Sequence, residues 1–471
     1  MGKKIVTFLL SSVVFFQLYI PLIKVYKKKG YEVRMVIRKN IEKGYSDPTF
    51  KGKADAVKRL VKKHRVMVVD IEKWLQDAGL TFCVDGDTNS KNYMNYIESL
   101  IVNLIGALNE NKRKRFTIVS LVENTNYVWR YHNYINFVDY VIFPHKDYLN
   151  SYVEWHLQNV EDYQEVPEQI PNKIKALRRY LKKIDIIDKY PILENVKNLE
   201  PSCKYETKEE LEPVLMEQVN SSKNLFLGTP KYDFQFDYKR ACKKYDIPKT
   251  KKIAIIFHPE YRIRIGIERY GIEFKDFYVN IHEWLRNLGY FVIVKDRLKD
   301  TRLKRELIGD LHINNHGLFP NPSIELLQLA DIAVFFSSSV IEEVFHTKTA
   351  MVDVVIDDID RAGFLRSDKY CYVVDGELPS EEEFKKNILK IEKDKEKEAH
   401  NKYVSNMMQK YYPVEKRPYS ENIYNELNKI MNKRIIKQKG KKIKSKKDEP
   451  KTDKSKRDKK KSRKKKSRKK K

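Results

Sequence analysis

Cysteine is scarce. The chain has four in 471 residues, Cys83, Cys203, Cys242 and Cys371, far apart and in no CxxC pair. That spacing excludes a cysteine-built zinc site or a disulfide framework and fits a reducing compartment. Histidine offers no substitute: His132, His145, His156, His312, His316 and His346 follow no ligand spacing. The HINNH pair at His312 and His316 reads as a loop, with Asn-Asn at its centre and Gly317 after it. No repeat of fixed period recurs, which excludes solenoids and propellers. Acidic residues are outnumbered, 65 against 94 Lys and Arg, for a formal charge of +29. Such an excess points by itself to nucleic acid, but its distribution does not. Residues 433–471 carry 24 basic and 4 acidic side chains, leaving 70 basic against 61 acidic, a net of +9, for residues 1–432.

An uninterrupted transmembrane run is also missing. Ile5 to Ile23 is nineteen mostly apolar residues, but Ser11, Ser12, Gln17 and Pro21 break it, and no small-residue cleavage site follows. A strand from Ile5, a helix ending near Gly30 and a strand YEVRMVI account for the pattern better than a signal anchor. What the chain does have is apolar material, 41% hydrophobic and 12% aromatic residues, enough for packed cores. Short apolar runs alternate with amphipathic stretches: IVTFLL, EVRMVI, RVMVVDI, LTFCVDG, RFTIVSLV and VDYVIF, then KIAIIFH, YFVIVKD, DIAVFFS, AMVDVVID and YCYVV. This is the signature of an α/β fold with parallel sheets covered by helices. Two Rossmann-like domains facing a cleft are expected, at residues 1–225, with a helical insertion near 148–219, and at residues 226–432. NLFLGTPKYD forms a strand and turn at their junction, and IPKTKK a linker. Residues 433–471, with no periodic apolar residue and strong self-repulsion, read as a disordered polycation.

The chemistry concentrates in ELLQLADIAVFFSSSVIEEVFHTKTAMVD, Glu325 to Asp353. A buried strand IAVFF ends in Ser337, Ser338 and Ser339, and a helix starts at Val340. Serine caps, unpaired first-turn N–H groups and the helix dipole together suit a phosphate, and a strand's carboxyl end is where open α/β sheets bind ligands. Glu342 or Glu343 could accept hydrogen bonds from a ribose. The alternative is ordinary capping with both glutamates in solvent.

The string LADIAVFFSSSVIEEVFHTKTAMV resembles the C-terminal domain of GT-B glycosyltransferases, in particular capsule and lipopolysaccharide glycosyltransferases, UDP-GlcNAc 2-epimerase and CDP-glycerol glycerophosphotransferases. SSVVFFQLYIPLIKVYKKKGYEVRMVI resembles the first βαβ unit of such proteins, LGTPKYD their domain junction, and IAIIFHPEYR with LRNLGYFVIVKD the start of the nucleotide-binding half. The resemblance covers roughly residues 5 to 375. It implies a nucleotide-diphosphate donor held by the C-terminal domain and an acceptor held by the N-terminal one. Ser337, Ser338 and Ser339 would then meet the donor phosphates and Glu343 the ribose. His258 and Arg262 would lie against the diphosphate, where a planar guanidinium offsets leaving-group charge. Without the resemblance, His258 is a packing residue and Arg262 a surface charge. Thr347-Lys348-Thr349 replaces the family's Gly-Lys-Pro, and Asp296-Arg297 its Pro-His, which bears on donor identity.

CVDGDT, Cys83 to Thr88, resembles the epimerase's Gly-Asp-Thr loop, which makes Asp87 a candidate catalytic base. Turn chemistry explains Asp-Gly-Asp equally, and Glu123 is the only echo of the epimerase's His-x-Glu-Ala-Gly segment. The aromatic run YVWRYHNYINFVDYVIF lines an acceptor groove or packs a core. With no DxD between strands, no metal and no cofactor are expected beyond a nucleotide-sugar or CDP-polyol co-substrate. The expectation is a cytoplasmic, metal-independent glycosyltransferase-like enzyme acting on a glycan or lipid-linked acceptor. The alternatives are a 2-epimerase-like isomerase, or a degenerate scaffold whose tail binds nucleic acid or an anionic membrane surface.

Overall fold

A computed structural model gives two parallel sheets. It describes residues 4–10, 13–37, 48–70, 73–74, 79–85, 116–122, 138–146, 149, 153–154, 157–158, 207–234, 236–248, 251–259, 263–296, 309–313, 323–338, 340–356, 371–411 and 417–447. Residues 1–422 form one unit that holds both sheets, and residues 423–471 form a second.

The first sheet has seven strands: β1 (Ile5–Leu10), β2 (Glu32–Ile37), β3 (Met67–Val68), β4 (Gly79–Asp85), β5 (Phe116–Val122), β6 (Tyr140–Phe143) and β7 (Asn224–Phe226). Their order across the sheet is β3-β2-β1-β4-β5-β6-β7. Helix α1 (Phe16–Lys28) crosses from β1 to β2, which pair in parallel from Ile5↔Glu32 to Leu10↔Ile37. The described part of the nineteen-residue apolar run is therefore a strand, a short 3-10 helix at Val13–Phe15 and the start of α1. Its density of apolar residues reflects burial within the domain, and among the described residues no helix is long and apolar enough to cross a membrane. Phe8 stacks on Phe82 across the β1–β4 pair at 5.2 Å, and the Tyr19 hydroxyl donates to the Leu9 carbonyl at 2.8 Å, so α1 is tied to the strand it leaves. Further helices are α2 (Pro48–Lys63) and α3 (Lys208–Val219), the latter inside the expected helical insertion.

A linker helix, α4 (Tyr238–Tyr245), leads to the second sheet, β8 (Lys252–Phe257), β9 (Tyr290–Lys295), β10 (Leu311–Ile313), β11 (Ile332–Phe336), β12 (Ala350–Val354) and β13 (Cys371–Val374). Its order is β10-β9-β8-β11-β12-β13. Between strands lie α5 (Ile263–Tyr270), α6 (Glu273–Asn287), α7 (Ser323–Leu327) and α8 (Ile341–Thr347), followed by α9 (Glu381–Lys395) and α10 (Glu398–Tyr411). Alternation along the strands sorts side chains onto two faces. Ile253, Ile255, Ala333 and Phe335 pack with α4, α7, α8 and α10, while Ala254, Ile256, Val334 and Phe336 pack with α6 and α9. All five residues of β11 are buried, as expected of a central parallel strand. One reading of the sequence changes: His312 lies in edge strand β10, paired through His312↔Val294, and not in a loop. A three-residue edge strand with a histidine at its centre has too little pattern to show in a sequence. The last helix, α11 (Tyr419–Lys447), carries into the basic tail; residues 448–471 lie outside the described residues.

The amino edges share a repeated device. Asp139, Asp310 and Asp331 stand just before β6, β10 and β11. Each takes the backbone N–H of a residue on the neighbouring strand onto its carboxylate, Ile118 at 3.0 Å, Val292 at 2.8 Å and Ile253 at 2.9 Å. Each also donates its own N–H to that residue's carbonyl, at 2.9, 2.8 and 2.8 Å. The pair of bonds closes the ladder where the strand begins and fixes register against a one-residue slip, which would turn every side chain to the wrong face. Asp331→Ala should leave the Ile253 N–H unpaired and lower the unfolding free energy by about 1–3 kcal/mol. In urea titration the midpoint should fall with the slope unchanged, and Asp331→Asn, which retains an acceptor, should recover much of the loss.

Candidate functional site

Sequential strands place the crossover of each sheet at a definite point. In the second sheet the chain winds outward from β8 through β9 to β10, then returns to the other side of β8 as β11. The loops leaving β8 and β11 therefore part in opposite directions and leave a crevice at the carboxyl ends, the position where open parallel sheets take ligands. The first sheet has its own switch between β1 and β4.

Polar side chains gather at the second crevice. His258 follows β8, is 9% exposed, donates its backbone N–H to the Lys295 carbonyl at 3.0 Å and meets the Tyr278 ring edge-on at 5.2 Å. Lys295 ends β9, buried, with its Nζ donating to the Asp296 carbonyl at 3.2 Å and lying 5.6 Å from the Phe257 ring centre. Asp296 in turn faces His312 on β10, with Oδ2 3.1 Å from Nε2. Ser337 follows β11 in the left-handed region, at φ 38°. A non-glycine residue is held there by its surroundings: its N–H donates to the Val354 carbonyl at 3.0 Å and to the Asp353 carboxylate at 3.2 Å, and its Oγ accepts from the Ile356 N–H at 2.9 Å. Ser337 thus shapes the sharp exit from β11. Ser338 is half-buried, its Oγ 3.5 Å from the Val340 N. Helix α8 is seven residues long and Val340 gives it no side-chain cap, so the polar side chains at the strand ends, more than a helix dipole, define the chemistry here. Thr347-Lys348-Thr349 ends that helix: Lys348 turns left-handed at φ 58°, and the two threonine hydroxyls donate to carbonyls of Val344 and Leu327, at 2.9 and 2.8 Å. β12 then starts at Ala350, opposite Ile332 of β11.

The segment after β7 meets α8. Gly228 adopts φ +83°, and a Cβ there would stand 2.2 Å from the Tyr419 ring, so neither the backbone nor the space admits a side chain. Pro230 then opens a short 3-10 turn, Pro230–Tyr232, packed on α1. Lys231 in that turn is buried, with its ammonium 3.8 Å from Glu343 Oε1 and 4.9 Å from the Tyr232 ring centre. Tyr232 stacks on His346 at 3.6 Å, 22° from parallel. His346 Nδ1 accepts from the Arg417 guanidinium at 2.8 Å, which leaves the proton of the neutral ring on Nε2. Asp233 closes the turn by accepting from the Tyr419 and Ser420 N–H groups, each at 2.6 Å, while its own burial pushes its carboxyl above the ordinary range.

Burial holds His346, His145 and His282 neutral. His346 lies well below the usual value, first through desolvation and then through the positive charges of Arg417 and Lys231 and the neighbouring His145. His145, in the loop leaving β6, is held at about 3 by desolvation. In the core beneath, desolvation holds His282 at about 4.

Of the residues singled out from the sequence, His258, Ser337 and Ser338 lie at these strand ends, and Glu343 lies on α8 facing Lys231. Asp87, Arg262 and Ser339 lie outside the described residues, as do Arg297 and most of the aromatic run before β6. Lys231, Tyr232, Asp233 and Arg417 carried no signal of their own, although LGTPKYD did stand out; His346 was visible only as one histidine among ten.

No protein family matches the sequence and no curated protein does. Solved structures of similar chain path exist. The wall teichoic acid polymerase TagF is similar over 91% of this chain and 90% of its own, at 12% identity and a TM-score of 0.48. The glycotransferase of kitacinnamycin is similar over 91% and 99%, at 12% identity and a TM-score of 0.47. A putative UDP-N-acetylglucosamine 2-epimerase from Listeria monocytogenes is similar over 86% and 91%, at 10% identity and a TM-score of 0.44. Likeness at this level concerns the course of the chain and not its chemistry, which rests on the side chains above.

Two outcomes are expected. Gly228→Ala should cost about 2 kcal/mol or more, through left-handed strain and the clash with Tyr419, read as a lowered melting temperature. The depressed histidines should make the protein acid-labile. Their folded values lie below the unfolded value of about 6.5, so the stability they allow is complete above that pH and is lost as pH falls through the window toward the folded values. Each group adds a slope of up to about 1.4 kcal/mol per pH unit, and His346→Gln should flatten the curve of unfolding free energy between pH 6 and 4.

Proposed function

We propose that the chain is a glycosyltransferase-like enzyme that moves a sugar, or a polyol phosphate, from a nucleotide-activated donor to an acceptor hydroxyl. One observation carries this reading: His258, Lys295 and the Ser337–Ser338 turn converge from three adjacent strands, β8, β9 and β11, at the switch of the second sheet. Cationic and hydroxyl groups at such a crevice suit a diphosphate. In this reading His258, Arg262, Ser338 and Ser339 hold the donor diphosphate, Ser337 fixes the turn that presents its neighbours, and Glu343 takes a ribose hydroxyl. Arg262 and Ser339 are included for their sequence positions alone, Arg262 just ahead of α5 and Ser339 between Ser338 and Val340.

Asp87 follows the last residue of β4 by two positions in the sequence and is assigned as base. It removes the proton of the acceptor hydroxyl as that oxygen bonds to the sugar's anomeric carbon. The bond from this carbon to the donor phosphate oxygen breaks, and its electron pair leaves with the diphosphate, whose charge Arg262 and His258 offset. The reaction so written requires no metal. The acceptor is a glycan or a lipid-linked chain, the setting is cytoplasmic, and the basic tail offers a contact to an anionic membrane surface.

Calorimetric titration of UDP-, GDP- and CDP-linked donors tests the reading. At least one should bind and protect β8 and β11 from hydrogen exchange, and His258→Ala should lower turnover about 100-fold or more. If none binds and none is turned over, the reading fails. Solvent deuterium entering sugar C2 without an acceptor would instead make the chain an isomerase.

A further inference from the structure

Helix α4 turns one face to the core and another to water. Ala241, Cys242 and Tyr245 are buried beneath it among the side chains of the second sheet. The Tyr245 hydroxyl donates to Glu325 Oε2 on α7 at 2.7 Å, and Lys244 pairs with the same carboxylate. These ties fix how the helix is rolled. Its outer face therefore presents Lys239, Arg240 and Lys243, all exposed, neighbours at helical spacing and without an ion pair among the described residues. Of the acidic residues at the helix ends, Asp237 is occupied as N-cap, accepting from the Arg240 N–H at 3.0 Å, and Asp246 lies past the other end as a left-handed C-cap. Phe234, Phe236 and Tyr238 lead into this cationic turn and are 38%, 36% and 42% exposed. Three large rings within five residues, left in water and rimmed by cations, add little to the fold and mark a surface of contact.

Charge and ring geometry narrow what covers it. A second copy of the chain docking the same patch on itself would bring three more cations against these three, which repel. An anion is required. A single-stranded nucleic acid would need ring faces on which successive bases stack. Phe236 and Tyr238 do not offer a common face, since their planes stand at 80° with ring centres 6.3 Å apart. Insertion among lipids makes no such demand: it needs apolar volume beside positive charge, and a tyrosine suits the boundary because its ring is apolar and its hydroxyl is wet. We propose that Phe234, Phe236 and Tyr238, with Lys239, Arg240 and Lys243, form an interfacial anchor that docks on an anionic lipid bilayer. The phenylalanines enter the boundary between headgroups and acyl chains, and the three cations meet the lipid phosphates. Neither the transferase reading nor the basic tail is needed for this contact. Residues 433–471, with 24 basic and 4 acidic side chains, supply charge, whereas stable attachment takes a second, apolar signal, which the rings provide.

Co-sedimentation of the full chain with vesicles of phosphatidylcholine, with and without phosphatidylserine, tests the anchor. Wild type should bind the vesicles that contain phosphatidylserine. With the tail intact, Phe234→Ser/Phe236→Ser and Lys239→Gln/Arg240→Gln/Lys243→Gln should each weaken that binding about 10-fold or more. All five side chains are exposed, so both variants should melt near wild type. Insertion is read separately: on adding vesicles, Phe236→Trp should gain a blue-shifted emission, quenched by brominated lipid, beyond any change wild type shows. Absence of binding by wild type would overturn the anchor, as would variants that bind as wild type does, which would leave the tail as the sole contact. Emission from Phe236→Trp that ignores the vesicles would overturn insertion and the anchor with it. If the serine variant instead loses binding to a single-stranded oligonucleotide and keeps its hold on vesicles, the patch is a nucleic-acid surface and the bilayer is the wrong partner.

Discussion

Parallel pairing is the constraint on which the rest depends. Neighbouring parallel strands cannot be joined by a hairpin, so the chain must cross over the sheet after each one, and a helix is the compact way to do so. Every strand then points the same way, and every loop that leaves a strand opens at one edge. His258, Lys295 and Ser337 span nearly eighty positions of sequence, yet β8, β9 and β11 are neighbours and deliver them to one crevice. Helices on both faces leave no water beside strands such as β11, which is why its five residues are all buried.

The two edges of these sheets do different work. At the amino edge each aspartate of the repeated device has both its N–H and its carboxylate in use, with bonds between 2.8 and 3.0 Å. Toward the carboxyl edge the conformations and charge placements cost more. Ser337 sits at positive φ, His346 is kept neutral among cations, and Lys231 and Glu343 approach without a hydrogen bond. Strain and unpaired groups persist where the surrounding structure over-determines them, and here the rigid amino edge supplies that determination. A chain built this way can carry an edge that is poor for stability and suited to a ligand.

The sheets were legible in the sequence because a strand buried on both faces is a continuous apolar run, and IVTFLL, KIAIIF and IAVFF are such runs. Legibility faded where burial did. β10 has three residues and a histidine at its centre, and β3 keeps two of the seven residues in RVMVVDI, both exposed. The triple serine suggested helix capping, whereas the structure uses Ser337 to turn the chain, which depends on Asp353 and Ile356 across the sheet and leaves no local signature. The Thr-Lys-Thr departure from the family pattern looked like a loss; three side-chain bonds and a left-handed lysine make it a sound helix end.

Lysine shows most clearly why composition could not find the site. With 94 basic residues in the chain, one more at position 231 carries no information. Burial supplies it, since removing an ammonium from water costs several kcal/mol and a fold tolerates it only with compensation. Among the described residues the buried lysines and arginines are Arg34, Lys231 and Lys295. Arg34 is matched at once by Glu32 two residues away, at 2.6 Å. The other two stand beside carboxyl ends of the two sheets, each near an aromatic ring. The net charge of residues 1–432 says little about a partner, whereas a cation held out of water is a structural commitment that charge counting cannot show.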